Sequence, residues 1–187
     1  MSRRLVQVAE PIPSLRVFER AQLGDARGFL ERLYEAGDAA ATAGSGRVAQ
    51  VNRTVTMRKG VVRGMHFQRQ PYSESKLVHC VRGKVFDVAV DVRVGSPTFL
   101  HWHGEILSAA NRRCVWIPEG FAHGLQTLED ECEMLYVHSQ VYQPDHEDAL
   151  HPCDPRIGIT WPLNIIQMSD RDQRHSMIDV HFEGVRT

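Results

Sequence analysis

Residues 77–94, LVHCVRGKVFDVAVDVRV, carry the clearest pattern in the chain: Phe86, Val88, Val90 and Val92 fall on one side of a period-two alternation and Asp87, Asp91 and Arg93 on the other. Gly83 interrupts the run and predicts a turn between two strands. Short apolar segments follow at 104–109, 114–117, 124–128 and 132–138, divided by Ser, Asn, Pro-Glu-Gly and Glu-Asp clusters. Short strands at near-regular spacing with turn residues between them predict an all-β barrel or jelly roll. The ends read differently. Residues 30–41, LERLYEAGDAAA, predict a short helix, the tail from Ser169 another, and 39–47 an exposed loop.

No repeat, low-complexity stretch or Pro/Gly/Ser linker divides the 187 residues, so a single domain over 1–187 is expected. Lys+Arg 22 against Asp+Glu 23 leaves a net charge of -1, which removes the basic excess expected of a nucleic-acid binder. An anionic ligand must therefore be held by a few placed cations. The N-terminal stretch MSRRLVQVAEPIPS has no apolar run of signal-peptide or membrane-span length. The four cysteines, Cys80, Cys114, Cys132 and Cys153, form no CxxC pair, and reduced thiols in a cytoplasmic protein are the expectation.

Chemistry-bearing residue types concentrate in three segments: KGVVRGMHFQ (59–68) with Lys76 ten positions after His66; WIPEGFAHG (116–124); and EMLYVHSQVYQPDHE from 133, joined by the tail motif MSDRD (168–172). Strict alternation would put Arg63 and His66 on opposite faces of a strand. A bulge at Gly64 would bring both to one side.

The order GDARGF, QVN, VVRGMHFQ, SKLV, VRGKVFDVAVDVR, GSPTF, WIPEGFAHG, LY, Y, IGITWP, from about Leu23 to Asp172, closely resembles the dTDP-4-dehydrorhamnose 3,5-epimerases. The resemblance implies a cupin-type jelly-roll barrel, a homodimer and catalysis without metal or other cofactor. It implies a nucleotide-sugar substrate, a dTDP-4-keto-6-deoxyhexose, inverted at carbon 3, carbon 5 or both. Hydrogens beside the ketone are acidic; a base removes one, an enolate forms, and an acid returns a proton on the opposite face. On this resemblance His66 is the base, Asp172 the carboxylate that orients it, Tyr136 the proton donor and Lys76 the cation beside the enolate. Arg27, Arg63 and Arg171 match contacts to the diphosphate or sugar, Gln50 and Asn52 a polar pair at the nucleotide, and His123 and Glu147 further ligand contacts. Two departures fall near the nucleotide: Leu23 replaces a common aromatic before GDxRGF, and Arg32 replaces a glutamate, with Glu31 beside it.

Two other readings stay open on sequence. In a metal-binding cupin, Gly-x5-His-x-His supplies two ligands. Here Gly60 leads to His66-Phe67-Gln68, with glutamine in place of the second histidine, while Pro118, Gly120 and His123 fit the later motif and Gly95 leads to a rival pair, His101 and His103. The other reading is a sugar-binding cupin without catalysis, which has no need of an acid–base set.

Overall fold

The computed structural model describes residues 5–36 and 48–187. Thirteen strands dominate these: β1 (Leu5–Ile12), β2 (Leu15–Arg20), β3 (Gln22–Asp25), β4 (Gly28–Glu31), β5 (Gln50–Thr56), β6 (Val62–Gln68), β7 (Lys76–Arg82), β8 (Lys84–Asp91), β9 (Trp102–Ser108), β10 (Arg113–Ile117), β11 (Phe121–Thr127), β12 (Cys132–His138) and β13 (Glu147–Ala149). One short helix, α1 (Asp170–Arg174), lies in the tail, as the pattern there predicts. Six strands form one sheet in the order β1-β2-β10-β7-β12-β5, five form another in the order β13-β6-β11-β8-β9, and β3-β4 make a separate hairpin. All the pairings within these sheets are antiparallel. The architecture is the expected jelly roll.

The strand assignments follow the alternation, and Gly83, with φ 74°, makes the turn between β7 and β8. The structure departs from a simple apolar-in, polar-out reading at β8. Val88, Val90 and Val92 pack outward under the C-terminal segment, with Leu150, Ile157 and Val185. Val85 and Ala89 face the six-stranded sheet, meeting Val17, Val78, Val115 and Met134. Asp87 and Asp91 share that inner face and are buried, so the polar side of the strand is interior rather than solvated. A third apolar layer, Leu5, Phe18, Leu77, Trp116 and Val137, covers the outside of the six-stranded sheet.

The helix expected over 30–41 is not formed in its described part. Leu30 and Glu31 belong to β4, whose Phe29 and Leu30 lie opposite Gly24 and Leu23 of β3. Arg32–Glu35 take no regular structure, while Tyr34 packs against the outer apolar layer. Cross-strand pairing and the Arg20–Glu31 ion pair at 3.1 Å hold the segment against its local helix propensity. The remainder of that stretch, and all of the loop expected at 39–47, lies outside the described residues.

One close approach positions the site. On β6 and β11, His66 pairs with His123 and Arg63 with Leu125, so two residues, Gly64 and Met65, stand opposite the single Gly124. This is the bulge that brings Arg63 and His66 to one cavity. Gly64 has φ 131°, and a side chain there would meet the His123 carbonyl oxygen at 2.9 Å. A methyl on Gly124 would lie 2.7 Å from the Arg63 carbonyl oxygen and 3.1 Å from Gly64 Cα, both backbone atoms with little room to yield. Gly124→Ala is therefore expected to cost about 1–3 kcal/mol through overpacking, measured by denaturant unfolding; an unchanged midpoint would show that the two strands are not locked by this contact.

Candidate active site

The two sheets face each other, and at one end their inner faces carry polar residues instead of apolar ones. A cavity of about 230 Å³ opens there. From the five-stranded sheet it is lined by Arg63, His66, Phe67, Gln68, His123 and Glu147, and from the six-stranded sheet by Asn52, Thr54, Lys76, Tyr136 and His138. Beyond His66 a second space of about 560 Å³ continues along Arg63, Arg171 and Asp172. The cavity thus has one chemical set on each wall.

His66 and Asp172 meet across 106 residues of sequence, Nε2 to Oδ1 at 2.8 Å. The tail is laid down to make this possible. Val62 N–H donates to the Gln167 carbonyl and Ile166 N–H to the Gly60 carbonyl, which fixes the tail beside the start of β6. Ser169 then caps α1, accepting from the Asp172 N–H at 3.1 Å. Burial opposes ionisation of Asp172, but the hydrogen bond and charge of His66, with the Gly64 N–H and the Ser169 hydroxyl, hold its carboxyl below the usual carboxylate range. An ionised Asp172 can only accept. Nε2 of His66 therefore carries the proton, and the free lone pair of the neutral ring is on Nδ1.

Arg171 reaches over this pair. Its guanidinium makes two bonds to Glu147, at 2.6 and 3.0 Å, and lies 3.1 Å from His66 Nε2. Because Nε2 already donates to Asp172, Arg171 is there a neighbouring charge rather than a second donor. Glu147 also accepts from the Tyr142 hydroxyl at 2.8 Å.

Tyr136 stands on the opposite wall, packed edge-on to His123 at 6.0 Å between ring centres. Burial pushes its phenol well above the ordinary tyrosine value, so it keeps its proton and can donate. His123 is itself fixed by Asp87, Nε2 to Oδ2 at 2.8 Å, which explains the buried carboxylate on the inner face of β8. Lys76 Nζ lies 3.0 Å from Glu74 Oε1, with both side chains nearly buried. Arg63 is anchored by its Nε–H to Thr56 Oγ1 at 2.8 Å.

The structure thus gathers His66, Asp172, Tyr136, Lys76, Asn52, Arg63, His123, Glu147 and Arg171 around one connected space. Gln50 stands just behind it, donating to Asn52 Oδ1 at 3.0 Å and accepting from the Tyr142 N–H at 3.0 Å. Arg27 is not brought in: it sits on the tip of the β3–β4 hairpin, 90% exposed, and pairs with Asp25 of the same hairpin. Glu31, beside the departing Arg32, is engaged by Arg20, and Arg32 pairs with Glu35.

Sequence reasoning missed Glu74, His138 and Tyr142. His138 was findable by alternation, since it follows Tyr136 by two positions in β12, which means the same face; Glu74 lies just before β7 begins, where alternation gives no signal.

Gln68 has a definite task where a metal cupin has histidine. Its amide donates to the carbonyls of Tyr72 and Val141 and accepts from the Gln143 N–H at 2.6 Å, tying down the segment that carries Tyr142. The rival histidines are elsewhere: His101 is exposed, and His103 pairs with Glu105 at 3.1 Å. Among the described residues, the one group of three potential metal ligands is His66, Asp172 and His175. The Arg171 cation 3.1 Å from His66 Nε2 opposes a second cation at that point.

A jelly roll with a histidine–carboxylate pair on one wall of its cavity and a protonated tyrosine on the other has the groups that proton-transfer chemistry needs, and the comparisons with known proteins give the class. The sequence profile of the dTDP-4-dehydrorhamnose 3,5-epimerase family matches residues 9–179. A dTDP-4-dehydrorhamnose 3,5-epimerase of Shigella flexneri is 44% identical over 162 residues, covering 86% of this chain and 89% of that one. A dTDP-4-dehydrorhamnose 3-epimerase of Streptomyces niveus is 47% identical over 127 residues, 68% of this chain and 61% of that one. Among solved structures, the dTDP-6-deoxy-D-glucose-3,5-epimerase of Legionella pneumophila Philadelphia 1, in complex with dTDP-4-keto-L-rhamnose, superposes with a TM-score of 0.88 at 36% identity, covering 98% of this chain and 99% of that one. The chain belongs to the dTDP-4-dehydrorhamnose 3,5-epimerase family, a family of isomerases.

Proposed function

We propose that this protein inverts carbon 3, carbon 5 or both in a dTDP-4-keto-6-deoxyhexose, in deoxysugar nucleotide biosynthesis. The observation that carries the reading is the division of one cavity: a histidine oriented by an ionised carboxylate on one wall, a protonated tyrosine on the other. The sugar ring lies between them. Nδ1 of His66 takes the hydrogen beside the ketone as a proton, the C–H electron pair becomes a carbon–carbon double bond, and the carbonyl oxygen becomes an enolate. The Lys76 ammonium donates to that oxygen. Tyr136 then delivers its phenolic proton to the opposite face of the same carbon and the carbonyl re-forms, with configuration inverted. Asp172 stabilises the imidazolium that forms at each turn.

Arg63 and Arg171, on the side of the second space, are suited to the diphosphate, which forked guanidinium groups recognise well. Glu147 holds Arg171 until ligand arrives. Asn52, with Gln50 behind it, and His123 complete the polar surface around the ligand.

Arg27 acts in a neighbouring chain's site. The hairpin that bears it exposes Leu23, Phe29 and Leu30, an apolar surface suited to a second copy, and symmetric dimers are the commonest oligomers. The free thiols of all four cysteines fit a reducing, cytoplasmic setting. No helix of the described residues is long and apolar enough to cross a membrane.

The roles on the two walls are separated by Tyr136→Phe. Without the hydroxyl, His66 still removes a proton and can return one to the same face, so exchange of substrate hydrogen with solvent deuterium should persist after inversion has fallen, by about 10²–10⁴ in rate. Equal loss of exchange and inversion would remove Tyr136 as a dedicated donor. For the assembly, light scattering should give twice the chain mass, and Arg27→Ala should weaken substrate binding without altering that mass. A fully active monomer would contradict the shared site.

A further inference from the structure

Lys76 is not held by the sheet alone. Its ammonium rests on Glu74 Oε1 at 3.0 Å, and the other oxygen of Glu74 lies 2.8 Å from His138 Nδ1. His138 Nε2 in turn stands 3.4 Å from Asn52 Nδ2, Asn52 Oδ1 accepts from Gln50 at 3.0 Å, and Gln50 Oε1 accepts from the Tyr142 N–H at 3.0 Å. Each donor in this line has an acceptor. With Glu74 ionised, His138 Nδ1 donates to it, leaving Nε2 to accept from the Asn52 amide, whose carbonyl is free to accept from Gln50. The side chains at the centre of the line are sheltered: Glu74 is 10% exposed, Lys76 10% and His138 11%. Burial works against the Glu74 carboxylate, but the charge of Lys76 and the hydrogen bond from His138 hold its carboxyl below the ordinary value.

We infer that Glu74 and His138 are positioning residues for the reaction: together they fix the Lys76 ammonium toward the enolate oxygen and link it to the Asn52–Gln50 pair. The reason lies in the geometry. A lysine ammonium is a point charge on a four-carbon stem, with large rotamer freedom to lose. An enolate is stabilised only by a donor already in place when the charge develops. Glu74 supplies the fixed partner, and His138, whose ring lies tilted beside that of Tyr136 at 6.1 Å between centres, supplies the fixed partner's partner. The same line runs on to the backbone of Tyr142, whose hydroxyl bonds Glu147, so the cation side of the cavity and the Arg171 side are joined through one segment.

The inference rests on the proposed epimerase reaction, and the test keeps the two apart. Wild-type protein is first assayed for inversion of dTDP-4-keto-6-deoxyglucose; its failure there would count against the reaction itself. Given wild-type activity, kcat and KM are measured for Glu74→Gln. A misplaced Lys76 should lower kcat by about 100-fold with KM little changed. The second pair of variants answers even if Glu74→Gln folds poorly. His138→Gln can still donate to Glu74 and accept from Asn52, and should keep most of kcat, whereas His138→Leu should lose it to the same degree as Glu74→Gln. An unmoved kcat in Glu74→Gln, a loss that falls on KM instead, or equal activity of the two His138 variants would overturn the assignment.

Discussion

The gap between two facing sheets is the constraint from which the rest follows. Packed sheets stand about 10 Å apart, and every inward side chain must fill that gap or line it. Over most of its length Val17, Val78, Val85, Val115 and Met134 fill it. At one end the inward positions are histidine, lysine, tyrosine and asparagine instead, and the space left over is of the size of a sugar. Opposed walls come from the fold at no further cost, and a reaction that takes a proton from one face and returns it to the other needs just that. The same strands that build the core set His66 and Tyr136 across from each other.

Polar residues in such a gap require partners, and the pairing pattern explains how a chain with a net charge of -1 can present cations to an anionic ligand. The basic and imidazole groups His66, His123, Lys76, His138 and Arg171 each meet a carboxylate: His66 has Asp172, His123 has Asp87, Lys76 and His138 share Glu74, and the more exposed Arg171 has Glu147. Breaking one such pair by removing a single member leaves the other buried and unpaired, which costs more than the pair itself contributes. Paired in this way, Lys76 and His66 hold defined positions in the unliganded site, which is what stabilisation of a developing charge requires.

The strands were legible because period-two alternation is a property of the pleat, and the turn at Gly83 because few other residues take its φ. Arg63 and His66 obeyed the alternation only once the Gly64 bulge was allowed for. His138 was legible in the same pattern as Tyr136, two positions on along β12, whereas Glu74 lies before β7 starts and its place beside Lys76 depends on the turn leading into that strand. Asp172 could not have come from periodicity: its place depends on the tail running beside Gly60 and Val62, a long-range pairing with no local signature. The helix expected over 30–41 failed for a related reason, since Phe29 and Leu30 find strand partners that local propensity cannot register.

The proposed reaction requires proton transfer between sugar and protein. Wild-type enzyme should therefore be allowed to convert its dTDP-4-keto-6-deoxyhexose in deuterated water, and the product examined by NMR at carbons 3 and 5. Every inverted carbon should carry deuterium, because His66 surrenders the abstracted proton to solvent and Tyr136 returns a proton that has equilibrated with it. Inverted product that retains its original hydrogen at the inverted carbon would contradict the account.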